Sequence, residues 1–154
     1  MWAQPFVPED QSTTFTVDPG ALIDGRLNFE FDSALSPLVS FNAGVNFLAF
    51  DGVFEDSDES YFAVGPRLGL RLYMLGTAPA GLWIGPFVDL YYVNWSDTQE
   101  DRDAFGLATG GEIGVTLILL RALVLQFGAA LLFQDVAERD HFTPRFRFGL
   151  GVAF

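Results

Sequence analysis

The chain has 154 residues, 50% of them hydrophobic, and 20 acidic residues against 8 basic ones give a formal net charge of −12. Every basic residue is Arg, and Lys and Cys are absent. This balance argues against a nucleic-acid partner and against electrostatic docking onto an anionic membrane, and the missing Cys excludes disulfides, thiolate metal sites and a cysteine nucleophile.

Residues 1–11, with Pro5, Pro8, Glu9 and Asp10, read as an N-terminal extension, and residues 12–154 read as one domain. Within that domain the dominant signal is an alternation of period two, the signature of strands. A weak first strand sets Thr13, Phe15 and Val17 against Ser12, Thr14 and Thr16. Next, Leu27, Phe29 and Phe31 alternate with Arg26, Asn28, Glu30 and Asp32. Val39, Phe41, Val45 and Phe47 alternate with Ser40, Asn42, Gly44 and Asn46. Phe62, Val64, Leu68, Leu70 and Leu72 alternate with Gly65, Arg67, Gly69, Arg71 and Tyr73. Leu82, Ile84, Val88, Leu90 and Tyr92 oppose Gly85, Phe87, Asp89 and Tyr91. Phe105, Leu107, Ile113, Val115 and Leu117 oppose Gly106, Ala108, Gly110, Glu112, Gly114 and Thr116. Leu123, Leu125, Phe127, Ala129, Leu131 and Phe133 oppose Gln126, Gly128 and Ala130. The last strand sets Phe146, Phe148, Leu150, Val152 and Phe154 against Arg145, Arg147, Gly149, Gly151 and Ala153.

Seven of these eight strands are expected to run roughly 8–14 residues, near the 9–11 that a tilted membrane strand needs. Short turns at 34–37, 75–81 and 120–122 alternate with longer polar loops at 52–60, 96–103 and 135–142, and 18–23 forms a shorter fourth. Short turns on one side and longer loops on the other describe an up-and-down meander. One strand face is large and apolar, and the other is small or charged. That inverts a soluble sheet and fits a closed barrel in lipid, where every backbone polar group must be paired. No window of about 18 uncharged apolar residues offers a membrane helix. Its best candidate, from Leu117 to Leu125, is cut by Arg121. Met1 is followed directly by Trp2-Ala3-Gln4-Pro5-Phe6, which is not a signal peptide, so the chain reads as the mature part of an exported protein.

The inward face carries Arg26, Arg67, Arg71, Arg145 and Arg147 together with Glu30, Asp32, Asp89 and Glu112. Cations and anions nearly balance, so an ion-pair network across a narrow lumen is expected, with Arg favoured because its planar fork bridges two carboxylates. Tyr61, Tyr92, Trp95, Phe105 and Phe133, with Phe50 and Phe142, fall near the longer loops, and Trp83 and Phe154 fall near the turns. These positions are expected to form two aromatic girdles at the membrane interfaces.

The closing segment Arg145-Phe-Arg-Phe-Gly-Leu-Gly-Val-Ala-Phe154 resembles the last strand of bacterial outer-membrane proteins. In those proteins a terminal Phe with alternating apolar residues, here Phe146, Phe148, Leu150, Val152 and Phe154, resembles the signal read by the barrel-assembly machinery. Residues 12–154 as a whole resemble small eight-stranded barrels of the OmpA membrane-domain, OmpX and OmpW type. Arg67-Leu-Gly-Leu-Arg-Leu-Tyr73, followed by Ala78-Pro-Ala-Gly-Leu-Trp-Ile-Gly-Pro86, resembles uncharacterised barrels with a GLW-GP pattern. The resemblance implies an all-β, eight-stranded antiparallel transmembrane barrel in the bacterial outer membrane. Its implied partners are outer-membrane lipid, lipopolysaccharide and the assembly machinery, and its implied state is a monomer.

The remaining candidates for chemistry have ordinary readings. Asp51, Glu55, Asp56, Asp58 and Glu59 are hard oxygen ligands, but their spacing is not that of an EF-hand, and a solvated acidic rim accounts for them. His141, the single histidine, sits in Arg139-Asp-His-Phe-Thr143, which does not resemble the motif of barrel deacylases. Asp89 and Glu112 could pass for an acid pair, yet the nearby arginines favour salt bridging. Gly110-Gly111 and Gly149-Leu-Gly151 are not followed by helices, so they are not phosphate loops. The expectation is a structural or surface-interaction protein with a closed lumen, no catalysis, no cofactor and no metal. The alternatives are a narrow channel for small solutes or ions and a lipid-modifying enzyme.

Overall fold

In a computed structural model of the chain, the described residues are 11–19, 21, 25–50, 60–96, 101–136 and 139–154. Side chains are described within these ranges except at 49, 50, 60, 61, 95, 96, 101–103, 134–136, 139–141 and 143. Eight strands close into one antiparallel barrel in sequence order: β1 Thr13–Asp18, β2 Arg26–Ser36, β3 Val39–Phe50, β4 Ser60–Thr77, β5 Ala80–Ser96, β6 Asp101–Leu119, β7 Leu123–Val136 and β8 Arg139–Ala153. Closure runs through β1 and β8, paired from Thr14↔Ala153 to Val17↔Leu150. Among the described residues no helix is long and apolar enough to cross a membrane.

The expected phase of every strand holds. Inward positions such as Thr14, Glu30, Asn42, Arg71, Asp89, Thr116 and Gln126 are buried, whereas outward Phe31, Leu70, Ile84, Leu107, Phe127 and Val152 are exposed. A one-residue slip in any pair would exchange these two faces. Closure pairs each strand with its neighbours, β1 with β8 over four residues, and along those ladders side chains alone meet the surroundings.

Strand lengths depart from the expectation. β4, β5 and β6 are longer, with 18, 17 and 19 residues, while the weak first strand is as short as its alternation, with 6. The polar stretch 135–142, read as a loop, is largely ladder, with Asp135↔Asp140 and Val136↔Arg139 paired. Likewise Ser96 pairs with Asp101 across the stretch read as the loop 96–103. On the turn side, β4 runs to Thr77 and β5 starts at Ala80, so the segment 75–81 is a tight turn at Ala78 and Pro79. The cause is the same in each case. Composition marks where apolar side chains stop, but a hydrogen-bonded ladder continues beyond that point because its backbone pairing does not depend on apolar partners.

The β6–β7 connection spans the three residues 120–122 between the register partners Leu119 and Leu123, and within it the Ala122 N–H donates to the Leu119 carbonyl at 3.1 Å. Leu120 and Arg121 both adopt positive φ, 52° and 70°. That is the type I′ arrangement, whose twist matches the flanking strands and which favours Asn-Gly. Ordinary L-residues sit there at a cost of about 1–2 kcal/mol each. The double change Leu120→Asn, Arg121→Gly is therefore expected to stabilise the barrel by about 1 kcal/mol or more, read as a higher urea midpoint in detergent micelles. An unchanged or lower midpoint would contradict this reading of the turn.

Candidate functional site

Among the described residues, eight charged side chains of the barrel interior form one cluster. Arg67 and Arg71 project from β4, Asp89 from β5, Glu112 from β6, Arg145 and Arg147 from β8, and Glu30 and Asp32 from β2. Each long side chain faces small neighbours across the ladder. Arg67 and Glu30 lie opposite Gly44, Glu112 opposite Gly85 and Ala130, Arg71 opposite Ser40, and Arg147 opposite Gly128. An eight-stranded barrel has room only for side chains, so bulk on one strand requires its absence on the next.

Two glutamates form the hub. Glu112 Oε2 accepts from Arg67 Nη2 and from Arg147 Nη1, each at 2.6 Å, and its Oε1 lies 3.5 Å from Arg71 Nη2. Glu30 Oε2 accepts from Arg147 Nη2 at 2.8 Å and lies 3.4 Å from Arg67 Nε. The other oxygen of Glu30 accepts from Arg71, which also donates to Asp32. Asp89 takes both oxygens to Arg67 Nη1, at 3.1 and 3.2 Å, and one to Arg145 Nη1 at 3.5 Å. Tyr91 donates its hydroxyl proton to Asp89 Oδ2 at 3.1 Å. These four arginines and four carboxylates sum to zero formal charge. Neutrality matters because each unpaired ion buried here would carry a penalty of several kcal/mol.

Aromatic rings flank the two β4 arginines. The Arg67 guanidinium lies 3.9 Å from the Phe87 ring centroid, and that of Arg71 lies 4.0 Å from the Trp83 centroid. Such cation–π contacts contribute about 2 kcal/mol when desolvated. The placement of Trp83 in an aromatic girdle is therefore corrected: it is fully buried in the lumen and donates its indole N–H to Thr116 Oγ1 at 2.9 Å. Its parity along β5 matches inward Phe87 and Asp89, whereas proximity to a turn and residue type favour the girdle. Parity prevails because the space exists. A Cβ built on Gly114 would lie 2.5 Å from Trp83 Cζ2 and 2.6 Å from the Phe127 carbonyl oxygen. Gly114→Ala is expected to destabilise the barrel by about 1–3 kcal/mol through overpacking and to shift tryptophan emission. A variant with unchanged stability and emission would contradict this packing.

The remaining girdle residues divide by what is described. Tyr92, Phe105, Phe133 and Phe154 point outward and are exposed, and Tyr92 meets Phe105 edge-on at 5.6 Å. Tyr61 and Trp95 are register partners across β4 and β5, and their side chains lie outside the described residues. So do the side chains of Phe50 and His141 and the acidic segment 51–59. Phe146, Phe148, Leu150, Val152 and Phe154 all occupy the outward face of β8. Arg26 is half-buried and lines a cavity at the loop end together with Arg67, Arg145 and Arg147.

Sequence reasoning missed the apolar layers that bracket the charges. Toward the turns, Ala80, Ile118, Val124 and Ala153 form a buried cluster, and Ala78, Tyr73 and Trp83 form another. Toward the loops, Ala63, Phe87, Tyr91, Val93, Ala108, Ala130 and Leu132 form a third. Ile118, Val124 and Leu132 sit in runs that are apolar on both faces, so alternation conceals them. The signal available was their phase, counted from Thr116, Gln126 and Ala130. The β4–β5 turn also tucks under the lumen: the Tyr73 hydroxyl donates to the Pro79 carbonyl at 3.2 Å, and the Ala78 N–H donates to the Pro37 carbonyl at 2.9 Å. Among the described residues no group of His, Asp and Glu is placed to hold a metal ion.

A closed ring of eight antiparallel strands, apolar outside and charged within, is the fold of the small outer-membrane β-barrels. No protein-family model and no curated protein matches the chain. Solved structures share its fold, among them the following two. Ail, the attachment invasion locus protein of Yersinia pestis, aligns with a TM-score of 0.54 at 10% identity, over 94% of this chain and 96% of that one. The N-terminal β-barrel domain of Pseudomonas aeruginosa OprF aligns with a TM-score of 0.54 at 13% identity, again over 94% and 96%. At these identities the likeness is one of fold.

Proposed function

We propose that the protein is a bacterial outer-membrane β-barrel with a structural or surface-interaction role, a non-conducting lumen and no catalytic activity. The observation that carries the membrane part is the inversion of the two strand faces. Outward Leu68, Leu72, Ile113 and Leu131 are exposed, while Arg67, Arg71, Glu30 and Glu112 are buried. In water this arrangement would expose an apolar belt around the whole wall, far beyond the patches that monomeric soluble proteins tolerate. Lipid supplies the missing apolar partner. In this reading the short turns face the periplasm and the longer connections, rich in Asp and Glu, face outward. The belt then meets outer-membrane lipid and lipopolysaccharide, and the β8 side chains serve the assembly machinery.

Closure of the lumen is supported by the neutral hub together with the apolar clusters toward the turns. Ions would have to disrupt the salt bridges and wet the turn-side clusters before they could pass. Reconstituted protein in planar bilayers is expected to leave the membrane without unitary current steps. Reproducible steps of constant size would replace this reading with a narrow channel for small solutes or ions.

A further inference from the structure

At the loop end of the lumen, beyond the hub, lies a cavity lined by Asp18, Arg26, Asn46, Tyr91, Arg145 and Arg147 among others. It lies where the wall changes height. β1 stops at Asp18, whereas β8 continues to Arg139, well past its last β1 partner at Leu150. Arg145 is therefore held on β8 beyond the β1 ladder, with 14% of its side chain exposed.

The donors of Arg145 are unequally used. Its Nη1 faces Asp89 Oδ2 at 3.5 Å, while Nε and Nη2 are buried and have no hydrogen-bond partner among the described residues. Those two nitrogens form one edge of the guanidinium. Their N–H bonds run parallel and match two oxygens of a single oxyanion. Asn46 Nδ2, on the same cavity, is a further buried donor without a partner. Of the charged residues lining the cavity, Asp18 is the acid, against Arg26, Arg67, Arg145 and Arg147. Arg67 and Arg147 are offset by the hub carboxylates, and Arg145 by a single long contact to an aspartate it shares with Arg67. The cavity, about 20 Å³, has room for about one water, so an anion engages it with one edge and keeps its bulk at the mouth.

We propose that the Nε–Nη2 edge of Arg145 is a binding site for a phosphate group at the loop-side mouth of the lumen, with Asn46 as a second donor. The fork geometry selects two oxygens on one centre, which a phosphate group supplies. The inference needs only the barrel and does not depend on whether the lumen conducts.

The test uses the refolded chain in dodecylmaltoside micelles, labelled so that the Arg145 Nε–H resonance is resolved. Inorganic phosphate is titrated against chloride at matched ionic strength. A second arm compares phosphatidylcholine nanodiscs with and without phosphatidic acid. The expected result is a saturable shift of the Arg145 Nε–H in the unsubstituted protein, with phosphate affinity, read by isothermal titration calorimetry for parent and variants alike, at least tenfold weaker in Arg145→Gln, intermediate in Arg145→Lys and unchanged in Arg121→Gln. A shift with phosphatidic acid alone assigns the phosphate to a lipid headgroup, and a shift with inorganic phosphate assigns it to a soluble ligand. If the Arg145 resonance of the unsubstituted protein does not move in either arm, the proposal is overturned, whether or not the variants fold. Equal affinity in Arg145→Gln overturns it as well.

Discussion

Glu112→Ala is expected to destabilise the folded barrel by about 3–5 kcal/mol, the range for removing one partner of a buried ion pair. The glutamate contacts Arg67, Arg71 and Arg147, all deeply buried. Its removal leaves those arginines with Glu30, Asp32 and Asp89. The loss is thus mainly the cost of excess positive charge in a space without bulk water, rather than the worth of any single bond. Glu112→Gln keeps the shape and some acceptor capacity, so it should fall between the variant and the parent. Urea unfolding from phospholipid vesicles, followed by tryptophan emission, reads the difference. Destabilisation below about 1 kcal/mol would place the pairs in the class of solvated surface bridges and contradict a dry hub.

Leu68→Arg tests the other face. Leu68 is 44% exposed on the outward side of β4, midway along the belt, and Phe62, nearer the loop end of the same strand, is 46% exposed. In water, Arg at either position would change stability by about 0.5 kcal/mol or less. In lipid the two positions separate, because Arg costs about 2–4 kcal/mol at the midplane and about 0–1 near the interface. Leu68→Arg is therefore expected to lower unfolding stability in vesicles by about 2–4 kcal/mol and Phe62→Arg by less than half of that. Equal, small effects at both positions would contradict a lipid-facing belt.

The faces of the wall were legible in the sequence because a strand has only two phases, and Arg, Glu and Gly fixed one of them. Arg67, Arg71 and Arg147 could be placed inside, together with Glu30 and Glu112, because a charge on the lipid side has no compensation. Three things were not legible. Strand ends were hidden because Asp135 and Asp140 carry the same composition in a ladder as in a loop. The place of Trp83 was hidden because a turn-side tryptophan serves a girdle as readily as a lumen, and the decision rests on Gly114 lying across the ladder. The pairings were hidden because they join residues far apart in the chain, such as Arg147 and Glu30, and depend on barrel stagger that period two does not encode.

The central claim is that this wall folds against lipid. Its most direct measurement is the electrophoretic mobility, with and without heating, of urea-unfolded chain after dilution into phospholipid vesicles. The account predicts an unheated band that migrates apart from the heated one, appears only when vesicles or detergent are present, and sediments with the vesicles. A chain that folds in plain buffer, stays in the supernatant and shows a single mobility under both conditions would contradict it.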